Sequence, residues 1–316
     1  MPMSVRERND EELGIRTIHA ALDAGVTLID TADAYSIDEE SFGHNEELIA
    51  RALKDYGNGS DEVLVATKGG HTRSGTDWEL DGRPEYLRQA CEGSLRRLGV
   101  DAIGLYQHHR PDPKVDYAET IGGLKELVDA GLIVSAGISN ANPDQIRLAH
   151  DILGEALVAV QNEYSPRFRS SQAELDLCTE LGLAFLPWSP LGGMSRAGEL
   201  GDKVAPFGEV AEKPGVSPQQ VALAWELAQS PVVIPIPGAS RVESVKDSVA
   251  ADEDMLKELG DKAKAIPFTA KLDAEGRLSE LVLAVVVIAD LVLLVLFSLA
   301  MQLARVATGV SADATG

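Results

Sequence analysis

Short apolar runs alternate with longer amphipathic stretches along this 316-residue chain. The runs are VTLID (26–30), VLVATK (63–68), AIGLYQ (102–107), LIVSAGIS (132–139), ALVAVQ (156–161), LAFLPW (183–188) and VVIPIP (232–237). Continuous rather than alternating apolarity is the mark of strands covered on both faces, so each run predicts a strand of a parallel sheet. Between them lie EELGIRTIHAALDAG (11–25), HNEELIARALKDYG (44–57), RPEYLRQACEGSLRRLG (83–99) and SPQQVALAWELAQS (217–230). Apolar residues at three- and four-residue spacing predict helices there, and several end on Gly, which takes up the left-handed cap. Strand and helix recurring at roughly 30-residue intervals imply parallel βαβ units.

Seven units fit an open doubly wound sheet or a barrel. No strand runs into a GxGxxG loop, the mark of a dinucleotide-binding open sheet. Polar residues fall instead at strand end after strand end: Asp30 and Tyr35, Lys68, His109, Ser139 and Asn140, Gln161, and Ser189. A barrel gathers all such ends around one mouth, whereas an open sheet spreads them along a line. The expected fold is therefore a (β/α)8 TIM barrel with one strand missing from the count.

Composition narrows the partners. Fifty acidic residues against 28 basic ones give a formal charge of -22, which repels nucleic acid and anionic membrane surfaces. No signal sequence opens the chain, and Cys91 and Cys178 both sit in helical patterns. They read as core thiols of a reduced, cytoplasmic protein. His108 and His109 have no Cys or carboxylate at ligand spacing, so no metal site is expected.

The segment LIDTADAY (28–35) crowds two Asp, a Thr and a Tyr behind an apolar start. Helix capping accounts for Thr31 or Asp33. Asp30 and Tyr35 also join Lys68 and His109 at one barrel mouth, and that quartet can move a proton. A phenol is a weak acid at neutral pH, and a neighbouring ammonium is expected to lower its pKa. A carboxylate beside the ammonium keeps it charged, and an imidazole can hydrogen-bond a substrate oxygen. On an extended chain His108 and His109 point opposite ways, so only one faces the mouth.

LIDTADAY, VATKGG, LYQHHRPDP, AGISNANPDQI, VQNEYSP, FLPWSPLGG and IPIPGASR, in this order, make residues 3 to about 260 resemble the aldo-keto reductase family. The resemblance implies an NADPH-dependent reduction of a small-molecule aldehyde or ketone. It makes Tyr35 the general acid, tuned by Lys68 and Asp30, with His109 orienting the carbonyl. Ser139, Asn140 and Gln161 would hold the nicotinamide carboxamide and Trp188 would stack on its ring. Ser189, Leu191, Gly192 and Gly238 would approach the pyrophosphate. Ser240 and Arg241 would meet the 2′-phosphate, a pairing suited to guanidinium. Trp78, in the long loop after Lys68, is a candidate lining residue of the substrate pocket.

The chain departs from the family in three places. Ser244 and Ser248 stand where the family has adenine-contacting amide or acidic side chains. The family's first barrel strand would precede Met1, so the barrel (1–266) is expected to lack it. After a polar linker (267–280), LVLAVVVIADLVLLVLFSLAMQL (281–303) resembles a transmembrane helix of cation/proton antiporters and is followed by a polar tail (304–316). Helical, it spans about 34 Å, enough for a bilayer core. An incidental fusion and a C-terminal membrane tether are the two readings. Two other functions compete with reduction: a Schiff-base lyase using Lys68, and a cofactor-binding regulatory subunit with little turnover.

Overall fold

A computed structural model describes residues 3–5, 10–57, 59–193 and 216–251. Strands β1 (Leu28–Asp30), β2 (Leu64–Gly69), β5 (Ile103–His108), β6 (Ile133–Ser139), β7 (Leu157–Gln161) and β8 (Ala184–Phe185) form one parallel sheet in that order. Helices α1 (Glu11–Asp23), α2 (His44–Tyr56), α3 (Pro84–Leu98), α4 (Tyr117–Asp129), α5 (Pro143–Leu153), α6 (Gln172–Leu181), α7 (Pro218–Leu227) and α8 (Val242–Val249) complete the described elements. The four helical patterns named above coincide with α1, α2, α3 and α7.

Local chemistry explains where the helices begin and end. Asn142 and Gln145 form a reciprocal capping box at α5, as do Ser217 and Gln220 at α7. Proline opens α3, α5 and α7, where its missing N–H is harmless. Gly99 and Gly182 end α3 and α6 in the left-handed conformation.

Helices α3 to α7 pack on β5–β8 over one apolar core. Leu87, Ile121, Leu124, Ile146, Val160, Phe185 and Trp225 lie within it, all but fully buried. Each such side chain contributes about 1.5–3 kcal/mol on leaving water. A smaller cluster of Ile18, Leu48, Ile49 and Ala52 joins α1 to α2.

The fold differs from the expected barrel in three respects. Among the described residues the sheet is a curled half-barrel of six strands rather than a closed cylinder. The run 232–237 makes no strand, only a parallel bridge between Val233 and Phe185. Pro235 and Pro237 lack N–H groups, so the ladder cannot extend past Ile234. The segment after Lys68 is not all loop. It contains an antiparallel hairpin of β3 (His71–Ser74) and β4 (Asp77–Leu80), joined by a two-residue turn with Gly75 at φ 56°. The expected linker, apolar helix at 281–303 and polar tail lie outside the described residues. Among the described residues no helix is long and apolar enough to cross a membrane.

Candidate active site

Parallel pairing puts all the C-terminal strand ends at one end of the sheet. The register Asp30↔Ala66 and the bond from Thr31 N to Ala66 O set the end of β1 beside Lys68 near the end of β2. Lys68 is fully buried. Its Nζ donates to Asp30 Oδ2 at 2.6 Å, the Thr31 carbonyl at 2.8 Å and Tyr35 Oη at 3.4 Å, so three acceptors match its three protons. Gly69, next in the chain, has no room for a side chain: a Cβ would stand 2.0 Å from Tyr106 Oη.

The far oxygen of Asp30 binds two amides. Gln107 Nε2 donates to Oδ1 at 3.2 Å and Gln161 Nε2 at 2.9 Å. Four strand ends thus converge on one carboxylate. Gln107 was absent from the sequence reading, although its place two residues after the inward Leu105 of an apolar strand was the available signal.

Electrostatics separates the roles of the groups. Burial alone would strip the charge from Lys68, but Asp30 and Tyr35 outweigh it and its pKa goes up. Burial also dominates at Tyr35. It outweighs the pull of Lys68 and raises the phenol above its ordinary value. The ammonium does lower this pKa, as expected, but burial outweighs it, so the net shift is upward. His109 is pushed well below the usual imidazole range, first by burial and then by the charge of Lys68, and is neutral. Its ring meets Tyr35 edge-on at 5.6 Å between centroids. His108 points the other way, toward Tyr117 at 6.1 Å.

His71, on β3, was also absent from the sequence reading. Its ring lies 4.4 Å from His109 and 5.3 Å from Trp78. The hairpin therefore carries rings outward from Tyr35 to Trp78, which is 44% exposed and covers the Arg73 guanidinium. Nothing in the local sequence signals this contact, because it depends on how the hairpin folds back.

Ser139 and Asn140 stand beside the quartet. Ser139 Oγ donates to the Gln161 carbonyl at 2.7 Å, and Asn140 Nδ2 donates to the His109 carbonyl at 3.0 Å. Asn140 has φ 58°, a left-handed conformation for which Asn is one of the better non-glycine residues. The amide nitrogen of Gln161 is engaged by Asp30 and Gln107. Trp188 is half-buried, and its Nε1 has no partner among the described residues. Ser189, Gly192 and Gly193 have φ 56°, 80° and 94°. Such a loop can bring backbone close to a bulky anion; Leu191 lies within it, half-buried. Gly238, Ser240 and Arg241 lie together before α8, Gly238 and Arg241 exposed, with Arg241 Nη2 3.5 Å from Ser244 Oγ. Among the described residues no group of three or more His, Cys, Asp or Glu could hold a metal ion.

Buried polar groups gathered at the C-terminal strand ends of a curled parallel sheet are the arrangement in which α/β barrel-type proteins build their sites. The aldo/keto reductase family model matches residues 3–259, and the chain belongs to that family. A probable aldo-keto reductase of Glycine max is 36% identical over 286 residues, covering 81% of this chain and 80% of that protein. The glycerol dehydrogenase of Gluconobacter oxydans superposes with a TM-score of 0.67 at 28% identity, covering 85% of this chain and 91% of that one. An aldo/keto reductase of Klebsiella pneumoniae solved with NADP and acetate shares the fold, with a TM-score of 0.64, 24% identity and coverage of 83% and 89%.

Proposed function

We propose that this chain is an NADPH-dependent oxidoreductase that reduces the carbonyl of a small aldehyde or ketone to an alcohol. The observation that carries the reading is a buried Tyr35 whose Oη lies 3.4 Å from Lys68 Nζ and whose ring meets His109 edge-on at 5.6 Å. NADPH, when bound, would supply the hydride for the carbonyl carbon. Tyr35 donates its phenolic proton to the carbonyl oxygen, the Lys68 ammonium stabilises the phenolate left behind, and solvent returns the proton. His109 hydrogen-bonds the same oxygen and orients it. Asp30, held by Gln107 and Gln161, keeps the ammonium in place.

The residues present suit a nicotinamide dinucleotide. Ser139 and Asn140 offer polar groups beside the quartet, and the unpartnered Trp188 Nε1 lies on a half-buried ring that can cover a planar heterocycle. The left-handed turns at 189–193 suit a pyrophosphate, and the exposed Arg241 suits a 2′-phosphate. The hairpin carrying His71 and Trp78 forms the substrate side. The raised pKa of Lys68 counts against a Schiff-base lyase, whose amine must be neutral to attack.

The test is to mix the full chain with NADPH or NADH and a panel of aldehydes and ketones, and to follow cofactor absorbance. Oxidation of NADPH in preference to NADH is expected with at least one carbonyl. Tight NADPH binding without turnover across the panel would replace this reading with that of a regulatory subunit.

A further inference from the structure

Of the three acceptors around Lys68 Nζ, two belong to the proposed catalytic quartet and the third is the Thr31 carbonyl. What holds that carbonyl is a chain of buried side chains. Thr31, with no exposed surface, donates Oγ1 to Asn45 Oδ1 at 2.7 Å. Asn45, in the first turn of α2 and 3% exposed, donates Nδ2 to Ser4 Oγ at 2.8 Å. Ser4, also 3% exposed, meets His44 Nδ1 at 2.9 Å, and His44 Nε2 lies 3.2 Å from Glu11. We propose that Thr31 and Asn45 are positioning residues for the reaction, forming with Ser4 a buried hydrogen-bond relay from the N-terminal segment to the Lys68 ammonium.

The chemistry of each member fits a directional chain. An ammonium carries three protons and no acceptor, so a buried one needs three acceptors held in place. Thr31 lies just past β1, where ladder pairing ends. Its N–H is fixed by Ala66 O at 2.8 Å, and its hydroxyl supplies a second anchor on Asn45. Two anchors on one residue limit how far the Thr31 Cα, and the carbonyl attached to it, can move away from Lys68. The β-branched Thr side chain has a stiff χ1, so its hydroxyl is a rigid strut. An Asn amide can accept from Thr31 and donate to Ser4 at once, which neither a carboxylate nor an apolar side chain can do.

Helix α2 is held against the same turn from the other side. Gly43, at φ 89°, donates its N–H to the Asp33 carbonyl at 2.7 Å. The titratable groups that face Lys68 are Asp30, Tyr35, Asp33 and His109, and none of them is substituted in the variants below.

The kinetic half of the test rests on the reductase reading; the spectroscopic half does not. Thr31→Val, Thr31→Ser, Asn45→Ala and Ser4→Ala are made in the full chain. Exchange of the Lys68 ammonium protons is followed by nitrogen-15 NMR, alongside the pH profile of kcat, the KM for NADPH and the thermal midpoint. Thr31→Val and Asn45→Ala should speed exchange and lower kcat by about 5- to 10-fold each, the worth of one buried hydrogen bond. The alkaline limb of kcat should move to lower pH, with the KM for NADPH unchanged. Thr31→Ser, which keeps the hydroxyl but loses the stiff χ1, should place every readout between Thr31→Val and the parent, and Ser4→Ala should give a smaller change in the same direction as Thr31→Val. A lower thermal midpoint with unaltered exchange and pH profile would reduce the relay to a structural brace and overturn the proposal. Faster exchange in a protein that reduces no carbonyl would keep the relay and sink the reductase reading. Should Thr31→Val fail to fold, Asn45→Ala and Ser4→Ala decide the matter.

Discussion

The two halves of the sheet differ in the balance of apolar and polar side chains they bury. Against β5–β8, helices α3–α7 pack a continuous apolar core. Around β1 and β2 the buried groups include Thr31, Asp33, Asn45, Glu46, Thr67 and Lys68, and among the described residues the cluster joining α1 and α2 has four buried apolar members. Apolar packing is non-directional and supplies stability; hydrogen bonds are directional and supply orientation. Asp30, Tyr35 and Lys68 sit in the half richer in directional bonds, while His109, just past β5, joins them from the half whose apolar core anchors the sheet.

Glu46 shows how the polar half tolerates its charges. It accepts from Thr67 Oγ1 and Arg97 Nε, each at 2.5 Å. Asp33, fully buried nearby, has no side-chain partner among the described residues. Burial raises its pKa well above the usual carboxylate range, and the neighbouring Glu46 adds to the shift.

Four changes break or sharpen this comparison. The largest effect is expected in the apolar half. Leu124→Ala, at a site with no exposure, should cost about 2–5 kcal/mol of stability, read from urea unfolding. A loss under about 1 kcal/mol would mean that packing there is not what anchors the sheet.

Tyr35→Phe comes next, in the polar half, and should separate function from stability. Turnover should fall at least ~100-fold, about 2.7 kcal/mol of barrier, while the urea midpoint and NADPH affinity stay near those of the parent. Near-normal turnover would remove Tyr35 as the proton donor.

His108 tests the apolar half by pH. Burial pushes its pKa down to about 4 from an ordinary 6.5. The unfolded chain takes up the proton below pH 6.5 and the folded one does not, so stability is lost as pH falls from there toward 4. At pH 5 the loss relative to pH 7 should be about 2 kcal/mol from this residue. His108→Gln should flatten that part of the profile, and an unchanged slope would assign it to other groups.

The smallest effect is expected at Asp33, and its sign is opposite. The folded state keeps the Asp33 proton above the pH at which the unfolded chain releases it, so this residue costs stability as pH rises past about 4. Asp33→Asn should therefore raise the unfolding free energy read from urea at pH 7, by about 1 kcal/mol or more. A lowered midpoint would show that the carboxylate is paired, and that the polar half has no unmatched charge there.

Much of the architecture was legible along the chain. Amphipathic stretches marked α1, α2, α3 and α7, and the Asn142–Gln145 and Ser217–Gln220 boxes are local spacings the chain carries in plain view. Continuous apolar runs marked the six parallel strands. Asp30, Tyr35, Lys68 and His109 were readable as a set because strand ends in parallel units share one side. The seventh run misled: its apolarity signalled a strand, while its prolines withheld the N–H groups a ladder requires.

The sequence by itself determined the alternation of elements, their caps and the polar residues at the strand ends, because these depend on neighbours a few positions apart. Only the tertiary structure decided that Gln107 and Gln161 share Asp30, that His71 folds back onto His109, and that Ser4 reaches Lys68 through Asn45 and Thr31. It also decided that burial outweighs Lys68 in setting the Tyr35 phenol. Register, curl and desolvation are sums over residues tens of positions apart, so no local pattern carries them.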